Sequence, residues 1–141
     1  MSLHLGIVTP KGAVLDREVE EVTLPGKLGE FGVLDGHIPF LSALRPGCVR
    51  YRVGSEWQRL AVGSGFVEVG AARKVLVLTD SHALPEQVDA DETARELAEL
   101  EAELKGWAGE ITVEHEELSS RAAWARARLE LKAETRTSSP H

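Results

Sequence analysis

The chain has 141 residues, a formal charge of −7, 43% hydrophobic and 28% charged residues, enough for one ordinary domain or a small domain with an appendage. That balance excludes a disordered or fibrous protein, and the acidic charge argues against a protein built to grip nucleic acid. The single cysteine, Cys48, allows no internal disulfide, so a reducing compartment is expected.

The start, "MSLHLGIVTPKG", lacks the basic region and apolar run of a signal peptide. No stretch approaches the ~20 apolar residues of a membrane span, so membrane association is expected only through a partner. From Leu3 to about Leu84 the chain reads as short strands broken by Gly, Pro or Asp. "LHLGIV" puts Leu3, Leu5 and Ile7 on one side, and "CVRYRV" puts Val49, Tyr51 and Val53 on one face with Arg50 and Arg52 on the other. Period two with a polar second face is the pattern of a half-buried antiparallel strand. "VEEVTL", "WQRLAV", "FVEV" and "KVLVLT" extend the set, and seven or so strands in about 80 residues predict a sandwich or small barrel.

After Pro85 the period changes. Ala90, Ala94, Leu97, Leu100, Leu104 and Trp107 recur at helical spacing, and Asp89 with Glu92 three residues on resembles a capping box that starts a helix near Asp89. Gly106 and Gly109 bracket a break, and Leu118, Ala122, Ala125 and Leu129 mark a second helix. So short a link predicts antiparallel packing. Between Glu86 and Glu103 there are eight acidic residues and one basic, whereas Arg121, Arg126, Arg128 and Lys132 crowd the later half of the second helix. Antiparallel packing brings these opposite charges together. Exposed pairs contribute only about 0–1 kcal/mol each and the apolar stripes are thin, so a weakly held hairpin that can open is expected. The organisation predicted is a sandwich domain over 1–86, a helical hairpin over 87–136 and a disordered tail over 137–141.

Catalytic and ligand chemistry finds little support. Asp80, Ser81 and His82 in "TDSH" are neighbours along the chain, whereas a nucleophilic triad needs side chains that converge in space. The five histidines and one cysteine have no zinc-ligand spacing, so no metal and no cofactor are expected. Gly26-Lys27 lacks the phosphate-loop context, with Glu21 and Leu28 where glycine and Ser or Thr are required. In "GEFGVLDGH", Gly29 to His37, the apolar residues Phe31, Val33 and Leu34 lie among glycines in what reads as a loop. They need cover, so a contact surface is expected there.

The run "VTLPGKLGEFGVLDGHIPFLSALRPG", Val22 to Gly47, resembles the signature region of the epsilon subunit family of F-type ATP synthase, equivalent to the mitochondrial delta subunit. "VGSGFVEVGAARKVLVLTD" resembles the family's second block and "EITVEHEELSSRAAWARARL" its C-terminal helix. The resemblance implies a ten-stranded antiparallel β-sandwich followed by an antiparallel two-helix hairpin. It implies a noncatalytic central-stalk subunit, bound to the gamma subunit and the ring of c subunits, that couples proton-driven rotation to ATP synthesis. The location implied is peripheral, on the cytoplasmic face of a bacterial plasma membrane. Gly29, Glu30, Phe31, Gly32 and His37 match the surface that docks on the ring and gamma. Arg121, Arg126, Arg128 and Lys132 fall in the helix that meets the catalytic beta subunit when the hairpin extends to inhibit ATP hydrolysis.

Two departures stand out: Asp35 replaces the usual proline, and Glu92 replaces the arginine of a hairpin ATP-binding motif, leaving Asp89 as a weak nucleotide candidate. The alternatives at this level are an ATP-sensing sandwich-and-hairpin module and an unrelated adaptor.

Overall fold

The computed structural model describes residues 2–34 and 39–137. Ten strands come first: β1 (Leu3–Thr9), β2 (Gly12–Val19), β3 (Glu21–Gly26), β4 (Gly29–Leu34), β5 (Phe40–Leu44), β6 (Gly47–Val53), β7 (Glu56–Val62), β8 (Gly65–Val69), β9 (Lys74–Thr79) and β10 (His82–Ala83). A 3-10 turn over Pro85–Gln87 leads to α1 (Ala90–Lys105) and α2 (Val113–Thr137).

The strands hydrogen-bond in the order β10-β7-β6-β3-β5-β8-β9-β1-β2, with β4 added to β3. β3 is the corner. It pairs with β4 along its whole length and with β6 through Glu21–Thr23, and it meets β5 only at Gly26 opposite Leu44. The sheet curls there, and the inward residues of its two halves form one core: Leu5, Ile7, Val22, Leu24, Val33, Val49, Val62, Val67 and Val77 are all fully buried. Alternation makes this possible, since each strand sends every second residue inward. Leu3, Leu5 and Ile7 do so as their spacing predicts.

One detail departs from the expected antiparallel sandwich. Among the described residues every strand pair is antiparallel except β1 with β9, which run parallel from His4 opposite Lys74 to Val8 opposite Leu78. Alternation reports which face a residue takes but not which way its neighbour runs.

Asp89 caps α1, its carboxylate accepting the Glu92 amide at 3.0 Å. The two helices lie against each other, and Thr93 and Leu100 of α1 and Ala122 and Ala125 of α2 are buried. A second face of α2 packs on the outer side of β6 and β7, where Cys48, Ala61 and Ala83 form a floor for Ala127 and Leu131. Small residues on that floor let the helix come close. Thr137 ends α2, and residues 138–141, in the segment expected to be frayed, lie outside the described residues.

Candidate docking and regulatory surface

The described part of the quoted glycine-rich stretch, Gly29–Leu34, is a strand, not a loop. β4 pairs with β3 in a hairpin whose turn is Lys27-Leu28, between the facing residues Gly26 and Gly29. Gly29 sits at φ +142°, a conformation side chains rarely adopt, and a Cβ on Gly26 would lie 2.6 Å from the Gly29 carbonyl. The turn therefore needs glycine on both sides. Strand alternation also overturns, for Phe31 and Val33, the expectation of apolar residues without cover: Val33 is fully buried in the sandwich core, and Phe31 packs on that core and makes an edge-on contact with Phe40, ring centroids 5.5 Å apart. The unsatisfied apolar group is instead Leu28, fully exposed at the hairpin tip. Sequence reasoning passed over it while testing a phosphate loop. Asp35, Gly36 and His37 lie outside the described residues.

Glu30 and Gly32 are exposed on β4, and the Glu30 carboxylate accepts a hydrogen bond from Arg50 Nη1. Arg50 reaches further. Its Nε and Nη2 donate to the two oxygens of Glu134 at 2.6 and 2.8 Å, and Nη2 also lies 3.3 Å from Glu130. Burial works against the Glu134 carboxylate, but the bonds from Arg50 outweigh it and hold the carboxyl below its ordinary range. The same carboxylates bear on Cys48, whose thiol burial pushes up to about 12, and whose Sγ faces the Ala127 carbonyl at 3.7 Å.

Cys48, Glu130 and Glu134 bring possible ligand atoms within 4.8 Å of one another, a cluster no sequence spacing announces. Arg50 is hydrogen-bonded within it and the thiol resists ionisation, so its chemistry is that of an ion-paired latch rather than a metal site.

The basic residues Arg121, Arg126, Arg128 and Lys132 of α2 divide. Arg128 donates to Glu96 at 2.7 Å and lies over the Trp124 ring. Arg126 meets Glu101 at 3.4 Å, and Lys132 donates to the Pro85 carbonyl at 3.1 Å. Arg121 is exposed. The first two make the predicted charge match between antiparallel helices. Asp89 is engaged as a helix cap.

The outer face of the β5-β8-β9 region carries a further apolar group, with Leu41, Phe66 and Leu78 all more than two-fifths exposed. Phe66 and Leu78 are cross-strand neighbours. No helix among the described residues is long and apolar enough to cross a membrane.

The family described as "ATP synthase, Delta/Epsilon chain, beta-sandwich domain" matches residues 2–85. The ATP synthase epsilon chain of Gloeothece citriformis is 36% identical over 133 residues, covering 94% of this chain and 95% of the relative. The chain belongs to the ATP synthase delta/epsilon family. It is an epsilon-type chain, a noncatalytic stalk subunit of that complex. ATP synthase epsilon chain 2 of Syntrophotalea carbinolica is 44% identical over 103 residues, covering 73% of this chain and 74% of that one. A chain in the structure of the Euglena gracilis mitochondrial ATP synthase, described as OSCP/F1/c-ring, shares the fold with a TM-score of 0.79 at 21% identity, covering 92% of this chain and 79% of its own.

Proposed function

We propose that this chain docks on the c-subunit ring through the tip of the β3–β4 hairpin, binds the gamma subunit through the apolar outer face of its sandwich, and carries a hairpin that inhibits ATP hydrolysis when it opens. The observation that carries the docking role is Leu28, an apolar side chain held wholly in solvent at the tip of a two-residue hairpin turn, beside Gly29, Glu30, Phe31 and Gly32. Display of an apolar anchor with a charged neighbour is how protein interfaces gain both affinity and register. Leu41, Phe66 and Leu78 offer the larger surface for gamma. Proton-driven rotation of the ring passes to gamma through these two contacts, on the cytoplasmic face of the membrane.

The hairpin is closed here, with Arg126, Arg128 and Lys132 engaged inside the chain. Contact with the catalytic beta subunit requires them to exchange those partners for acidic groups of that subunit, joined by Arg121. Assembly of the complex with a chain truncated after Gln87 tests this. Faster ATP hydrolysis than with the full chain is the expected result, and equal hydrolysis refutes the inhibitory role. Leu28→Asp tests the docking tip: it should lose copurification with the ring, and full retention removes that contact.

A further inference from the structure

Arg50 stands on the outward face of β6 with 19% of its side chain exposed, and each of its guanidinium nitrogens has a carboxylate partner. Nε and Nη2 fork onto Glu134, Nη2 also reaches Glu130, and Nη1 donates to Glu30. Two of those carboxylates belong to α2 and the third to the docking hairpin. Directly across on β7 stands Arg59. Its buried Nε makes no hydrogen bond and lies 3.7 Å from Glu134. Like charges facing each other across a strand pair repel, so Glu134 serves as counter-ion to both arginines.

We propose that Arg50 is a shared cation for which the docking hairpin and the regulatory hairpin compete, so that a partner engaging Glu30 tightens the closed state of α2. The proposal rests on the docking role given to Glu30 above. Glu30 and Glu134 are like charges drawn to one guanidinium, and each weakens the other's hold by repulsion. A partner that meets Glu30 with its own cation or hydrogen-bond donor removes that repulsion and leaves Arg50 to the α2 carboxylates. In the other direction, departure of α2 strips Arg50 of Glu130 and both arginines of Glu134. Of the three carboxylates only Glu30 then remains beside Arg50, and it is drawn toward the sandwich and away from the ring. The two events are linked reciprocally, as thermodynamics requires of sites that share one group.

Hydrogen exchange of the α2 amides over residues 122–134, measured on the full chain, reads the opening. Glu30→Gln keeps the side chain's shape and drops its charge, and should slow that exchange about threefold, whereas Arg50→Gln and Glu134→Gln should speed it about tenfold. In an Arg50→Gln background Glu30→Gln should have no effect, because the competition has lost its object. Unchanged or faster exchange in Glu30→Gln, or an equal slowing without Arg50, overturns the proposal. Copurification of the Glu30→Gln chain with the ring subunits is scored separately. Weakened retention supports the docking role, while full retention refutes it and removes the ring as the competing partner even where exchange in the free chain has slowed.

Discussion

Leu131→Ala should release α2 from the sandwich without unfolding the sandwich. Leu131 is fully buried, and its neighbours in the seam between α2 and the β6–β7 face are mostly small: Cys48, Ala61, Ala83, Val88 and Ala127. No other leucine lies in that buried cluster, so truncation leaves a gap that alanines and a thiol cannot fill. Leucine-to-alanine changes in cores cost about 2–5 kcal/mol. An interface between two elements can partly close over the gap, so the expected loss is about 3 kcal/mol, or roughly a hundredfold in the opening equilibrium.

The chain carries its own probe. Cys48, the single cysteine, is 2% exposed and its thiol is pushed up to about 12. A thiol-specific reagent at mildly alkaline pH therefore reacts through openings that uncover it. The labelling rate should rise about a hundredfold in Leu131→Ala, or until it reaches that of a free thiol, while amide exchange in β1, β8 and β9 stays unchanged. An unchanged labelling rate, or equal loss of protection in those strands, would refute the picture of a hairpin that opens independently.

Acid should open the same seam. Glu134 has a depressed carboxyl pKa, so its contribution is fully present above the unfolded value of about 4.3 and is lost as pH falls through the lower folded value. Exchange or fluorescence of Trp124 should report release of α2 below about pH 4, and a chain carrying Glu134→Gln should show no such step. His4 behaves oppositely, its pKa raised by hydrogen bonds to Glu18 and Asp16. The support it gives the β1–β2 pair is full below about 6.5 and fades as pH rises through the higher folded value, detectable as faster exchange along β2. Gly65→Ala would place a Cβ 1.9 Å from the Leu78 carbonyl, so thermal unfolding should show a loss of at least about 3 kcal/mol or no folded protein. Ala72 holds φ +61° in the β8–β9 turn, and Ala72→Gly should raise stability by about 1 kcal/mol in denaturant titration.

The elements most readily derived were those written in local patterns. Asp89 announced α1 through its own side-chain chemistry, and the opposed charges of the two helices became Arg128–Glu96 and Arg126–Glu101. The alternation of "CVRYRV" correctly set Val49 and Tyr51 inward. It placed Arg50 on the opposite face, but alternation identifies the outward face without saying what else lies on it. The cue that α2 covers this face was the run of small outward residues Cys48, Ala61 and Ala83, scattered over three strands. The Arg50–Glu134 bond joins residues 84 apart, beyond the reach of any periodicity. "GEFGVL" differs for another reason: its glycines suggest a loop, while Gly26 and Gly29 in fact flank a two-residue turn that pairs it with β3 and buries Val33.

The parallel pairing of β1 with β9 bears on how the chain folds. β1 is made first, yet its lateral partner begins at Lys74, near the end of the sandwich. Until β9 emerges, β1 has only its antiparallel partner β2, and a two-stranded ribbon is marginal in water. Closure of so long a loop precedes its reward, which slows folding and leaves Leu3, Leu5 and Ile7 seeking cover in the meantime. The β6–β7 face that receives α2 is synthesised before that closure. On a ribosome, the sandwich would therefore finish only shortly before the hairpin appears, and the helices would arrive at a floor newly made.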